Sequence, residues 1–398
     1  MSTSFRSGFR RQHRVGFACA VFLALALAGP TGSAAEPQGH RRRPTEAADP
    51  AAYWTPERMR EARPMPMPEP APGLAGLAEE SPPPGEPVES APAIPPVVTP
   101  AELDAFLADQ PGFGSAGDAD EADEAPMAEE PAIDQPSYSG TSGCHFSSSR
   151  LNPRTIDLKF PYRAVGKLFF TQPGVGNFVC SGAVLRQRVV LTAGHCVHSG
   201  NGAVTGWFSN FLFCPAYRGG QSRLGCWSWS WVITTGDWYG SGGVVPNAAD
   251  YAMLEVPDQV VGGVTRRIGD VTGTFGYATS SLSANHVHML GYPVGFSSGE
   301  RMHQVAAGRC VSGGTNTERY GGDMRGGSSG GPWVQDFGVP ASGQAVGPSG
   351  PNLIVGVMSY TNNSSDPKYE GSSIPDSRFS GILSSICNRD VTAPANCS

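Results

Sequence analysis

The sequence has no C-x-x-C pair, no basic run within residues 139–398, no second long apolar stretch, and no histidine beyond His303. Without closely paired cysteines, structural zinc sites are set aside. Without a basic run, nucleic-acid binding has no support. One apolar stretch alone gives no polytopic membrane protein. The missing histidine excludes the most. "GGSSGG" formally fits the G-x-S-x-G turn of α/β-hydrolases, whose triad runs serine, acid, histidine. No histidine follows Ser328 and Ser329, so that triad cannot be built here. Long helical periodicity is also scarce, with "RFSGILSSICNR" at 378–389 the clearest case.

The single apolar stretch, "VGFACAVFLALALAG", follows Arg6, Arg10, Arg11 and Arg14 and precedes the small residues "TGSAA". This is the layout of a secretory signal peptide over residues 1–35, cleaved near Ala34 or Ala35, and it predicts an extracellular or periplasmic protein without stable membrane insertion. Cys19 lies inside it. Eight cysteines remain, and an exported chain meets an oxidising compartment, so four disulfides are expected. Cys180 with Cys196 would pin a histidine turn to its neighbouring strand. Cys214 with Cys226 would close a loop, and Cys387 with Cys397 would staple the C-terminus. Cys144 and Cys310 are then left for each other.

Residues 36–138 hold 21 acidic and 6 basic residues, a net charge of −15, while residues 139–398 carry a net +4. The front part is also rich in proline, as in "PMPMPEPAPG", and poor in aromatic and β-branched residues. It cannot bury enough apolar surface to offset its own chain entropy. Residues 36–143 therefore read as a largely disordered acidic segment, either a propeptide or a permanent tether. Its opposite charge would let a propeptide lie over the basic part. Only residues 99–110 look helical, with Thr99 as N-cap, Pro100 at the first position, and Leu103, Phe106 and Leu107 on one face.

From about residue 160, short apolar or alternating runs recur between Gly-rich turns: "AVGKLFF", "FVCSGAVL", "VVLTAG", "DYAMLEV" and "LIVGVMSY". That texture argues an all-β sandwich or barrel over residues 144–398. Trp227, Trp229 and Trp231 alternate in "WSWSW" and read as core rather than as a ligand platform. His286 and His288 alternate in "HVH" and read as structural or surface residues rather than as a metal pair.

A serine nucleophile needs a base, a carboxylate to orient the base, and donors for the oxyanion. His195 in "LTAGHC", Asp250 in "DYAML" and Ser329 in "GSSGGP" occur in that order. Together with "CSGAVL", "VGVMSY" and the late helix, they resemble the chymotrypsin-like serine proteases over residues 160–390. The resemblance implies two antiparallel six-stranded β-barrels with a cleft between them and a short C-terminal helix. It implies His195 as general base, Asp250 as its orienting group and Ser329 as nucleophile. It places the N–H groups of Gly327 and Ser329 in the oxyanion hole, and Ser359 behind Asp250. Met358, Ser359, Tyr360 and Thr361 would line the substrate channel.

Two departures matter. Ser328 stands where animal digestive members have the aspartate that captures the new N-terminus on activation. "PYRAVGKLFF", "GYPVG" and the D-x-x-G-G-x-S-G spacing are similar to the bacterial glutamyl endopeptidase branch, yet Met358 falls where that branch reads glutamate with a histidine. Asp323 stands six residues before Ser329, and an aspartate at this spacing reads Arg or Lys in trypsin and does not in that branch, so the preferred residue stays open. The implied function is a secreted serine endopeptidase made as a zymogen, monomeric, without cofactor or metal, acting on protein or peptide substrates and cut by a processing protease. A silent binding protein and an esterase using the same triad are the alternatives.

Overall fold

A computed structural model describes residues 35–42, 50–70, 89–108, 144–282, 285–314, 316–338, 350–362, 368–389 and 396–398. The expected signal peptide lies outside the described residues except for Ala35.

Seven strands build a first antiparallel sheet: β1 (Val165–Gln172), β2 (Gly176–Arg186), β3 (Val189–Thr192), β4 (Ser209–Pro215), β5 (Trp227–Ser228), β6 (Trp231–Thr234) and β7 (Ala252–Glu255). Their order is β6-β7-β3-β2-β1-β4-β5. The edge strands β5 and β6 are separated in the chain by Trp229 and Ser230 alone, so the sheet rolls round on itself. It does not close. The outer edge of β6 is taken by Gln38–Arg41, which pairs antiparallel with Trp231–Thr234. An edge whose N–H and C=O groups are already paired cannot also pair with β5. Of the two antiparallel β-barrels that the sequence implied, the first is an open half-barrel.

The second sheet closes. Its strands are β8 (Gly276–Ala278), β9 (His286–Gly291), β10 (His303–Gly314), β11 (Thr317–Gly321), β12 (Pro332–Gln335), β13 (Leu353–Thr361) and β14 (Tyr369–Ser373). The ring runs β12-β9-β10-β11-β14-β13, and a β12–β13 pairing completes six strands. β8 lies parallel on the outside of β13. The all-β architecture of two β units with few helices is the one the sequence implied.

The runs that read as strands are those buried on both faces. All four residues of β3 and of β7 are buried, which continuous apolar runs require. Trp227 and Trp229 are buried in the first core, so the tryptophan alternation is packing. Ser377–Cys387 forms the C-terminal helix, capped by the Asp376 side chain on the Arg378 N–H. Its Phe379, Ile382, Leu383 and Ile386 are buried, one face at helical spacing. All four disulfides form, Cys144–Cys310, Cys180–Cys196, Cys214–Cys226 and Cys387–Cys397.

Three pieces of the acidic segment are described, and each borrows its order from the β units. Gln38–Arg41 extends the first sheet. Trp54 joins the first core, and its indole N–H donates to the Asn210 carbonyl. The helix Pro100–Ala108 buries Leu103 and Leu107. Thr99 caps it, accepting the Glu102 N–H while the Glu102 carboxylate accepts the Thr99 N–H, a reciprocal capping box. None of these pieces has a core of its own, which is why the composition of the segment reads as disordered. No helix of the described residues is long and apolar enough to cross a membrane.

Candidate active site

β3 ends in a tight turn, Gly194–Cys196, and the Cys180–Cys196 disulfide ties that turn to β2. His195 is thereby fixed at the rim of the first sheet. Its backbone N–H donates to Asp250 Oδ1 at 2.8 Å, and Nδ1 lies 2.8 Å from Asp250 Oδ2. The approach depends on Gly194, where a Cβ would come within 2.9 Å of Asp250 Oδ1 and 2.6 Å of the Trp238 ring.

Asp250 is fully buried just ahead of β7. The second sheet holds it as well. Ser359 Oγ donates to Oδ2 at 2.6 Å, and the Asp250 N–H donates to Ser373 Oγ at 3.0 Å. A carboxylate accepting three hydrogen bonds is kept in one orientation, and with it the imidazole.

Ser329 lies in the turn before β12 and is fully buried; its carbonyl accepts the Ser181 N–H at 2.7 Å. Ser181 belongs to β2, and the Thr192 hydroxyl donates to its carbonyl at 2.8 Å. One short network thus links the serine turn to the strand that leads into His195. His195 Nε2 and Ser329 Oγ are both buried and make no hydrogen bond. Most buried polar atoms are paired, so an unpaired base and hydroxyl at one site call for an explanation.

Gly327 has φ +94°, and a Cβ there would come 2.6 Å from the Tyr292 carbonyl. Only glycine fits that conformation cheaply. Its N–H points into the cleft, where it meets the carbonyl of Met65 at 3.2 Å.

Residues 63–69, "RPMPMPE", fill this cleft. Arg63 and Pro64 pair parallel with Phe178 and Val179 of β2, and the Met65 N–H donates to the Val179 carbonyl at 2.9 Å. The Met65 carbonyl takes the Gly327 N–H, and the Pro68 carbonyl takes the Thr361 N–H at 3.2 Å. Met67 is buried with Met324 and Met358, its sulfur 3.5 Å from Ser328 Oγ. Alternating prolines hold a strand extended with few free N–H groups, so the segment docks largely through carbonyls.

The other expected residues separate by role. Asp323 is half-buried and accepts the Ser148 hydroxyl at 2.9 Å. Met358 is buried in the same core cluster as Met67, and its backbone exchanges hydrogen bonds with Gly330 and Gly331. Tyr360 turns away into a cluster with Trp238, Val245 and Tyr369, so it can reach a substrate only through its backbone. His286 is exposed, and His288 stacks on Phe337. Sequence reasoning missed Met65, Met67 and Pro68, although the Pro–Met alternation marked an extended segment. It also missed Glu370, an isolated acid in "KYEGSS" with no signal of its own.

No family model matches the chain. Its sequence is 28% identical over 140 residues to an extracellular metalloprotease of Bacillus subtilis (strain 168), covering 35% of this chain and 38% of that protein. The chain therefore spans well under two thirds of that relative's length. Among solved structures, a thermostable serine protease, AL20, from an extremophilic microorganism is 26% identical with TM-score 0.47, over 57% of this chain and 98% of that one. The protease Anisep from Arthrobacter nicotinovorans is 26% identical with TM-score 0.44, over 57% and 93%. A Glu endopeptidase in complex with MPD is 17% identical with TM-score 0.45, over 60% and 95%.

The metal implied by the first relative's name finds no suitable donors among the described residues. The one candidate cluster found among the described residues is Cys180, His195 and Cys196. Its two sulfurs are joined to each other, which leaves a single imidazole and no thiolate.

Beside the cleft, His303 stacks on Phe296 at 3.9 Å and lies 2.6 Å from Ser148 Oγ. Ser148 gives its one proton to Asp323, so His303 donates to it from Nε2. Burial first, then Arg150, pushes the His303 pKa down to about 4. The depressed value means the neutral ring favours the fold. This stability is present above the unfolded pKa of about 6.5 and is lost as pH falls toward 4. His303→Gln is expected to remove up to about 3 kcal/mol of the stability difference between pH 7 and pH 4. Urea midpoints at the two pH values measure it, and an unchanged difference would contradict the assignment.

Proposed function

We propose that the chain is a chymotrypsin-like serine endopeptidase, exported through its N-terminal segment and kept latent by residues 63–69. The observation that carries the reading is the Asp250–His195 pair, together with a buried His195 Nε2 and Ser329 Oγ that nothing else uses. Four disulfides accord with an oxidising compartment.

In this reading His195 Nε2 takes the proton of Ser329 Oγ as the oxygen attacks a peptide carbonyl carbon. The carbonyl oxygen gains the charge and is held by the Gly327 and Ser329 N–H groups. Asp250 stabilises the imidazolium. The imidazolium then gives its proton to the departing amine, leaving an acyl group on Ser329. Water, deprotonated by the same imidazole, hydrolyses that ester.

Residues 63–69 act as a plug in the zymogen. A peptide to be cleaved presents its carbonyl at Gly327 and pairs its preceding residues along β13, so it runs from Thr361 toward Ser329. The plug runs the opposite way, from Gly327 at Met65 to Thr361 at Pro68. Reversed polarity puts no peptide bond in the geometry for attack. The residue after Met65 is Pro66, a poor leaving amine in a rigid position.

A fluorophosphonate probe tests the reading. It is expected to label Ser329 once the plug is displaced, and to label it far more slowly in His195→Ala. No labelling of the unblocked, folded protein would overturn the enzyme reading. Hydrolysis of simple esters without casein or peptides would assign an esterase.

A further inference from the structure

The catalytic reading does not use a cavity of about 520 Å³ whose walls come from both β units. Arg150 ends the strand Phe146–Arg150, which pairs with β10 so that Arg150 stands opposite His303. Asp157 lies in the turn Arg154–Leu158. Tyr217 and Arg218 open a short hairpin that follows β4. Arg301 and Met302 lead directly into β10.

Three guanidiniums thus line the cavity against one carboxylate. That carboxylate, Asp157, is buried and already paired, its Oδ2 3.3 Å from Arg218 Nε. Glu300, next to Arg301 in the chain, has a donor on each oxygen: Lys167 Nζ at 2.8 Å and the Tyr217 hydroxyl at 3.1 Å. The acids at hand therefore already have cations or donors of their own. The rest of the wall is different in character. Leu151, Met302 and the Tyr217 ring are buried and apolar. A concave site lined by charge of one sign concentrates ions of the other, and its volume is that of a small-molecule site rather than of a macromolecular interface.

We propose that this cavity binds a compact polycarboxylate, an anion of two or three carboxylates on a short carbon skeleton, and that the ligand ties the two β units together. Guanidinium forks match carboxylates in bidentate geometry. The apolar side of the wall takes the carbon skeleton, which an inorganic anion lacks. Because Arg218 comes from the first unit, and Arg150 and Arg301 flank β10 of the second, one anion between them stabilises the assembled fold alone. The site is independent of the peptidase reading and stands or falls without it.

The test is calorimetric titration of the full chain with citrate at fixed ionic strength. Saturable binding at one site is expected, weakened about 10-fold in Arg150→Ala and in Arg301→Ala. Inorganic sulfate at the same ionic strength is expected to bind at least about 10-fold more weakly. A second readout needs no variant. Burial, then Arg150, depresses the His303 pKa to about 4, and an anion beside Arg150 offsets the second of these causes. The NMR titration midpoint of the His303 ring is therefore expected to rise when citrate is bound. Absence of saturable citrate binding, equal affinity for sulfate, or unchanged binding in Arg150→Ala overturns the inference, as does a His303 midpoint that citrate leaves in place.

Discussion

Ser329→Ala is expected to lower kcat for peptide hydrolysis by on the order of 10⁵–10⁶, with little change in KM, because it removes the atom that the proposed mechanism acylates. His195→Ala should fall nearly as far. The double variant should be no worse than either single one, since base and nucleophile act as a unit. Asp250→Asn is expected to lose about 10⁴-fold. That loss would come through orientation, because the Asp250 carboxylate fixes both the backbone N–H and the Nδ1 of His195. The measurement is steady-state hydrolysis of a peptide substrate by protein with an open cleft. Ser329→Ala retaining more than about 1% of the rate would place the nucleophile elsewhere.

Replacing residues 63–69 by a Gly-Ser sequence is expected to raise the peptidase rate per molecule by about 100-fold or more. A tethered segment presents an effective concentration on the order of millimolar, so a plug of even about 10 μM intrinsic affinity leaves about 1% of the sites open. The substitution keeps Trp54, Leu103 and Leu107 in the first core, so the fold retains the support that deletion of the whole acidic segment would remove. Equal rates for the intact and substituted chains, measured on one small peptide substrate, would show that the segment does not obstruct the cleft.

Much of the architecture was legible because strands and turns leave local marks. "VVLT" and "DYAMLEV" carry the continuous apolar runs of strands buried on both faces, and those strands are β3 and β7. The order of the motifs around His195, Asp250 and Ser329 was equally readable, since each sits in a short turn built from small residues. Closure of the sheets was not legible. Whether a rolled sheet closes depends on which strand reaches its last edge, and Gln38–Arg41 reaches β6 from far away in the chain.

The acidic segment illustrates the same limit. Its composition denies it a core of its own, and that conclusion holds for the segment in isolation. It does not say where the segment goes when a folded partner is attached. Docking of Met65, Met67 and Pro68 uses carbonyl oxygens and one unbranched side chain, features common to many sequences.

The sequence by itself determined the β texture, the disulfide count, the order of histidine, aspartate and serine, and the charge contrast between the two parts of the chain. These follow from periodicity and composition, which are local properties. Only the tertiary structure decided that the first sheet stays open, that Met65 and Pro68 of the proline-rich segment dock on Gly327 and Thr361, and that Glu370 is buried beside Arg325. Each of these depends on groups distant in the chain meeting at one place, and an isolated acid in a strand has the same local pattern whether it faces solvent or a buried pocket.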